Sequence, residues 1–257
     1  MKIFFDRKPV GRLDDVLPLY HPHEFESPTR STVPLLSLLK YGSATWESVV
    51  RNLNFADQSL EVHLELTVGP VQGEGKPSHT DVMLIGNGIA VAVEAKWTEP
   101  PYSTVCEWIG KGRNQKNRRA VMSGWLSLLQ PHAARELRLD TFLDATYQMV
   151  HRAASACAAG RRPSLAYLQF SPLPNGIEPN ITQLQTKLSH LYDILGAPSA
   201  FPFFLIEVKL KATDAFHRIS GLPKGSPKTA AMVRAVLLHA PLFEFTSVHP
   251  IQISHRP

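Results

Sequence analysis

Hydrophobic and polar residues alternate strictly between residues 59 and 68. The apolar positions would share one face of an extended chain and the polar positions the other; they are Leu60, Val62, Leu64, Leu66 and Val68 against Glu61, His63, Glu65 and Thr67. A period of two residues is typical of a β-strand. The pattern therefore predicts a strand over residues 59–68.

Elsewhere the pattern changes between a helical period and short apolar runs. Helices are predicted near residues 31–40, 45–53, 118–129 and 141–159, and from residues 180 and 226 onwards. Their start signals are Thr141 with Asp144, Asn180 with Gln183, and Ser226 with Pro227. Further strands are predicted over 165–170 and 203–210, with a short β-like tail over 242–248. This order predicts an α/β fold with a sheet of about five strands.

A chain of 257 residues fits one large domain, and we expect a single domain over 1–257. Residues 1–30 contain several prolines and no sustained period, which predicts an irregular N-terminal segment. Residues 212–257 are expected to add a C-terminal helix and a short strand packed on the core.

The segment from Ser78 to Trp97 is the most informative part of the sequence. Asn87-Gly88 between two apolar runs is a strong signal for a β-hairpin with a two-residue turn. In that register Gly86 pairs with Ile89, and the pairing continues outward until Asp81 faces Glu94. Directly opposed residues point to the same side of a sheet, and Lys96, two residues beyond Glu94, shares that side.

Two opposed carboxylates repel each other unless a cation lies between them. Hard divalent cations such as Mg²⁺ prefer carboxylate oxygens. Asp81 and Glu94 are therefore interpreted as ligands of Mg²⁺ (or Mn²⁺), with Lys96 beside them and the Ala95 carbonyl as a further oxygen. The alternative is a solvated strand end that carries only a salt bridge.

An Asp on one strand followed by Glu-x-Lys at the end of the next resembles the PD-(D/E)XK nuclease superfamily. The matching residues are Asp81, Glu94, Ala95 and Lys96, while Thr80 stands where the family name has Pro. The resemblance covers the hairpin closely and residues 45–210 in their order of elements. It implies a restriction-endonuclease-like fold, with an αβββαβ core and a mixed central sheet flanked by helices. It also implies Mg²⁺-dependent hydrolysis of a nucleic-acid backbone.

The acid-x-Lys pattern alone is weak evidence for a catalytic site, because it occurs four times in the sequence. The triplet that begins at Asp6 has no partner hairpin, and the one that begins at Glu74 lies in a Gly-rich loop. Glu207-Val208-Lys209 ends an apolar strand and is the serious rival, although Asp193, upstream of it, falls in a helical pattern. We interpret this second triplet as the end of an amphipathic strand.

Roles follow for the residues around the predicted metal. Lys96 would orient the attacking water or neutralise charge on the phosphate. The resemblance implies that Gln148, on the helix after the Lys strand, supports the site as a catalytic residue. Arg152 lies one turn later on the same helix face and could hold a phosphate. A water-facing polar helix surface is the alternative for both.

A third acid often completes such a site. Glu65 is the first candidate, because it lies on the neighbouring strand, and Glu47 on the preceding helix is the second. The alternative for each is an ordinary solvated charge.

Nucleic acid, DNA more than RNA, is the expected partner. The formal net charge is +5, which mildly favours polyanions. The densest positive run would bind the phosphate backbone, unless it is only a solvated loop and helix start; it comprises Lys111, Arg113, Lys116, Arg118 and Arg119. Cutting both strands of a duplex often needs two active sites, which would favour a homodimer.

The two cysteines, Cys106 and Cys157, support neither a zinc ribbon nor a disulfide scaffold. No apolar run approaches the length of a membrane span and no signal peptide is evident, so a cytoplasmic location is expected. The predicted function is a metal-dependent DNA endonuclease. The alternatives are a catalytically silent module of the same fold that binds nucleic acid or a protein, and a structural partner in a larger complex.

Overall fold

The computed structural model describes residues 2–55, 60–100, 102–160 and 162–253. Within these residues, eight strands form one mixed sheet, and helices cover both of its faces. The strands are β1 Lys2–Phe5, β2 Lys8–Val10, β3 Glu61–Val68, β4 Ser78–Gly86, β5 Ile89–Lys96, β6 Arg162–Ser171, β7 Phe203–Ala212 and β8 Phe243–Ile251. Ser59, where the first predicted strand begins, lies outside the described residues.

The strand order is β2-β1-β3-β4-β5-β6-β7-β8. The central strands β5, β6 and β7 run parallel, while β4 and β8 flank them in the antiparallel direction. The α/β class is confirmed, but the prediction of about five strands was too low. The N-terminal segment over 1–30 was predicted to be irregular, whereas β1 and β2 add a short edge hairpin; strands of four and three residues are too short to show a period.

Eight α-helices surround the sheet in the described part of the chain. They are α1 Thr32–Tyr41, α2 Ser43–Asn52, α3 Val105–Gly110, α4 Gln115–Leu129, α5 Tyr147–Ala159, α6 Ile181–Ile194, α7 Asp214–Ser220 and α8 Pro227–His239. Asn180 and Ser226 cap α6 and α8 through their side chains, as predicted. None of these helices combines the length and the apolar character that crossing a bilayer would require.

The predicted start of α5 at Thr141 was wrong. Residues Leu139–Phe142 form a separate 3₁₀ turn, and α5 begins at Tyr147, whose N–H donates to the Ser103 carbonyl at 3.1 Å. A capping box does occur nearby, between Thr104 and Glu107 at the start of α3, a helix that the pattern analysis missed. Because α3 has six residues, its apolar period is too short to recognise.

The two faces of the sheet bury separate hydrophobic clusters. We call the side packed against α3, α4, α5 and α6 the α5 face, and the side packed against α1, α2, α7 and α8 the α1 face. Leu64 lies on the α1 face and Leu66 on the α5 face, so the five apolar residues of β3 do not share one side as predicted. The change of side occurs at Glu65, whose φ of 54° interrupts the extended strand.

Candidate active site

The hairpin of β4 and β5 has the predicted turn and register. Asn87 and Gly88 both have positive φ angles, 50° and 75°, as a type I′ turn requires. The pairing runs from Gly86 with Ile89 to Val82 with Val93. Asp81 is next in line and its Oδ2 accepts the Ala95 N–H at 2.8 Å. This register places Asp81 and Glu94 on the α5 face.

Glu65 extends this line of acids to a third strand. It lies between the pairs Leu64–Val82 and Leu66–Thr80 of β3 and β4, and is therefore opposite Asp81. A left-handed backbone at a non-glycine residue costs about 1–3 kcal/mol and is characteristic of functional sites. The strained backbone at Glu65 changes the direction of β3 at this residue. The Glu65 carboxylate thereby lines the same cavity as the two acids of the hairpin.

Glu94 is the centre of a buried polar network and is 3% exposed. Its Oε1 accepts hydrogen bonds from Lys96 Nζ and Gln148 Nε2, both at 2.7 Å. Its Oε2 accepts one from Arg152 Nε at 2.5 Å. Gln148 and Arg152 therefore lie on the face of α5 that packs on the sheet, and the solvated alternative for them is excluded.

The second layer of this network was not foreseen from the sequence. Arg152 Nη1 donates to Ser78 Oγ at 2.6 Å, and Ser78 Oγ lies 2.9 Å from His151 Nδ1. Arg152 is 7% exposed. Its guanidinium therefore acts as the counter-ion and support of Glu94, and a direct contact with a phosphate stays a prediction.

The pKa values of the three acids diverge. Burial, followed by the charge of Asp81, raises the pKa of Glu65 to about 9. Burial, followed by the charge of Glu94, raises the pKa of Asp81 to about 7. Burial also opposes the ionisation of Glu94, but Arg152 and Lys96 outweigh it and lower its pKa. In this cluster Arg152 and Lys96 compensate the charge of Glu94, whereas burial and neighbouring acids outweigh any compensation for Glu65 and Asp81.

These side chains line one open cavity of about 580 Å³, which we call the acid cavity. Glu65, Asp81, Glu94, Lys96, Gln148 and Arg152 all contribute to it, so the structure brings together these six predicted residues. The sequence analysis missed further lining residues, among them Glu24, Arg30, Glu99 and Tyr102. Glu24 lies in the segment that was expected to be irregular, and no periodic signal marks it.

The predicted basic run lies at the end of α3 and the start of α4. Lys111 Nζ donates to Ser103 Oγ at 2.9 Å, and Ser103 lines the acid cavity, so the run begins at the rim of this cavity. Lys111, Arg113, Lys116 and Arg119 are exposed. Arg118 differs, because it is half-buried, lies over the Trp108 ring at 4.7 Å and donates to the Trp108 carbonyl.

Two weaker candidates lie elsewhere. Glu47 is exposed on α2, which packs on the α1 face, so it is not the third acid of the cavity. Glu207 and Lys209 lie within β7, which continues to Ala212, so the expectation that this triplet ends its strand was wrong. Glu207 accepts from Ser171 Oγ at 2.7 Å and does not line the acid cavity. Within the described residues, no group of three or more His, Cys, Asp or Glu side chains is arranged so that it could hold a metal ion.

Residues 9–198 match the family model of a domain of unknown function, DUF6946. The chain belongs to this family. The DUF6946 region extends from β2 past the end of α6 and therefore contains every acid-cavity residue named above, whereas Glu207 and Lys209 fall outside it. Searches of curated proteins and of solved structures gave no match to the chain.

Proposed function

We propose that this DUF6946 protein is a metal-dependent phosphodiesterase, a DNA endonuclease that hydrolyses the backbone with Mg²⁺ or Mn²⁺. One observation carries the proposal: Glu65, Asp81 and Glu94 follow one another on three adjacent strands beside Lys96. The order of β3, β4, β5, α5 and β6 supports a restriction-endonuclease-like core.

The chemistry of these acids suits a divalent cation, although no three of them converge as a metal-binding group in the described residues. Burial and neighbouring acids raise the pKa values of Glu65 and Asp81, and a bound cation would offset both effects. Burial, followed by the charges of Glu65 and Asp81, also raises the pKa of Tyr20. Carboxylates with unsatisfied charge suit a hydrated hard cation.

Glu65, Asp81 and Glu94 would hold the cation. When bound, it supplies charge stabilisation for the phosphodiester and lowers the pKa of a water. Lys96 is charged, because Glu94 and the Tyr102 ring outweigh the cost of its burial and raise its pKa. Its ammonium group is the donor in the cavity best placed to neutralise a phosphate oxygen.

Two residues of α5 have positioning roles. Gln148 and Arg152 fix the Glu94 carboxylate from opposite oxygens, so that its orientation is set before any substrate arrives. The exposed cations Lys111, Arg113, Lys116 and Arg119 would attract the phosphate backbone toward the rim.

A plasmid-nicking assay tests the proposal. The wild-type protein should convert supercoiled DNA to the open circle with Mg²⁺ and lose this activity in EDTA. Asp81→Asn should nick roughly 100-fold more slowly or worse, and Glu207→Gln should match the wild type. Equal nicking by Asp81→Asn, or intact DNA and RNA after incubation with the wild type, would contradict the proposal.

A catalytically silent nuclease-fold module is the second candidate. It is favoured by the saturation of Glu94, whose two oxygens already accept three hydrogen bonds from Lys96, Gln148 and Arg152. Nucleic-acid binding without Mn²⁺ binding and without cleavage would select this candidate.

A further inference from the structure

A second cavity lies directly beside the acid cavity. It has a volume of about 210 Å³, and we call it the amide cavity. Lys96, Tyr102 and Gln148 line both cavities. It is located at the carboxyl ends of the parallel strands β5 and β6, where α/β sheets usually bind ligands.

The lining of the amide cavity combines aromatic and apolar surface with neutral amides. Tyr102, Tyr167, Met149 and Leu184 supply apolar surface. The amide side chains are Gln148, Gln169, Asn180 and Gln183. Three of them are partly engaged: Gln148 Nε2 donates to Glu94, Gln169 Nε2 donates to the Lys96 and Phe170 carbonyls, and Asn180 Oδ1 accepts the Gln183 N–H. Amides both donate and accept hydrogen bonds, as do the edges of nucleobases, whereas phosphates are bound chiefly by Arg, Lys and backbone N–H groups.

The charged groups of the amide cavity are mostly engaged already. Lys96 donates to Glu94, and both Glu99 oxygens accept backbone N–H groups, from Ser31 at 2.7 Å and Trp97 at 2.9 Å. Lys187 remains as a single half-buried cation. This charge inventory disfavours a phosphate and leaves a neutral ring system as the matching ligand.

Tyr167 provides an independent pointer to a ligand. It lines the cavity, is 0% exposed, and its hydroxyl has no hydrogen-bond partner among the described residues. A buried hydroxyl without a partner is costly, and a ligand with a polar edge would satisfy it. Tyr102 is 45% exposed and offers its aromatic ring between the two cavities.

We propose that the amide cavity binds one unstacked nucleobase of the strand whose phosphate occupies the acid cavity. The substrate is then a single strand or a duplex with an unpaired nucleotide at the cut site, because a base inside a stacked duplex cannot reach Tyr167. This inference rests on the proposed function, because the acid cavity must hold the phosphate of the same strand. The base site itself makes a separate prediction about binding.

The test measures binding of single-stranded and duplex oligonucleotides that contain 2-aminopurine, in EDTA and again with Ca²⁺. Single strands should bind at least about tenfold more tightly than duplex, and the 2-aminopurine emission should change on binding. Gln183→Trp, which fills the cavity from α6, should weaken binding about tenfold or more. Thr182→Trp, at an exposed neighbouring position that does not line the cavity, should bind like the wild type.

Tyr167→Phe keeps the packing and removes only the unpartnered hydroxyl. It should be at least as stable as the wild type and bind roughly three- to tenfold more weakly. Equal affinity for duplex together with unchanged binding by Gln183→Trp would overturn the base site. Competition by inorganic phosphate, with no effect of Tyr167→Phe, would overturn it as well. Preferred, Gln183-dependent binding of single strands without cleavage of any substrate would support the base site and contradict only the proposed nuclease.

Discussion

Two strands of the sheet carry the same Glu-x-Lys pattern, at the end of β5 and within β7, and both glutamates are buried on the α5 face. At β5, Glu94 accepts from Lys96, Gln148 and Arg152 and has Asp81 in line on β4. At β7, Glu207 accepts from Ser171 and pairs with Lys209 at 3.0 Å, and Lys209 also bonds Glu178 on the surface.

The difference lies in what surrounds the pattern. Glu94 belongs to a line of three acids that opens into a large cavity, while the contacts of Glu207 already satisfy it locally. A buried Glu-Lys pair alone is therefore no indication of a site. A candidate site is indicated by two further carboxylates beside the pair. Their charges are uncompensated, and they are open to solvent.

The largest expected effect is on cleavage. Lys96→Met should slow plasmid nicking about 10²–10³-fold, because a donor to the developing phosphate charge is lost while the acids remain. Lys209→Met repeats the change at β7 and should nick within about twofold of the wild type, since its pairing is only structural. Comparable losses of nicking in both variants would remove the distinction between the two Glu-x-Lys patterns.

The ion pairs of β5 and β7 should also differ in how much they contribute to the stability of the protein. Arg152→Met leaves Glu94 buried without its main counter-ion and should cost about 3 kcal/mol of unfolding free energy, near the lower end for a broken buried pair because Lys96 remains. Lys209→Met breaks a pair in which the Lys209 side chain is 30% exposed, and should cost less than about 1 kcal/mol. Urea denaturation of both variants measures these values.

The uncompensated acids predict a pH dependence for the metal-free protein. Glu65 holds its proton up to about pH 9 in the folded chain against a usual pKa of 4.5, so the folded state binds more protons between these values. Stability therefore falls as pH rises from 7 to 9, by about 3 °C in Tm per pH unit. Glu65→Gln should flatten this slope, and Glu207→Gln should not. Parallel curves for the wild type and Glu65→Gln would contradict the assignment.

The smallest expected effect is on the salt dependence of DNA binding. Reversing the four exposed cations Lys111, Arg113, Lys116 and Arg119 should weaken binding about tenfold at moderate salt, and more steeply at low salt. Reversing four exposed cations on the α7–α8 side provides the control; these are Lys211, Arg218, Lys224 and Lys228. Equal losses would make the predicted run ordinary surface charge.

The hairpin was predictable because its signals are local. Asn87-Gly88 fixes the turn, and the turn fixes which residues face each other, so Asp81 and Glu94 follow from counting. The shared face of Gln148 and Arg152 followed from their spacing on a helix, whereas the supporting role of Gln148 came from the family resemblance. The predicted start of that helix was wrong by six residues.

The rest depends on contacts between distant segments. The turn of β3 at Glu65 breaks an alternation that the sequence continues without interruption, so only pairing with β4 reveals it. Glu24 reaches the acid cavity from 3₁₀ turns near the N-terminus, and Tyr167 acquires its unpartnered hydroxyl from the packing of neighbouring elements. Neither residue has a periodic or motif signal of its own.

Calorimetry with Mn²⁺ near pH 7 tests most directly whether the acids of the hairpin and β3 bind a common ion. The wild type should bind one ion per chain and release protons from Glu65 and Asp81, so that the measured heat changes with the ionisation enthalpy of the buffer. Glu207→Gln should behave identically, while Asp81→Asn should lose most of the affinity. The same Mn²⁺ affinity in Asp81→Asn and the wild type, or no heat from the wild type, would contradict the account.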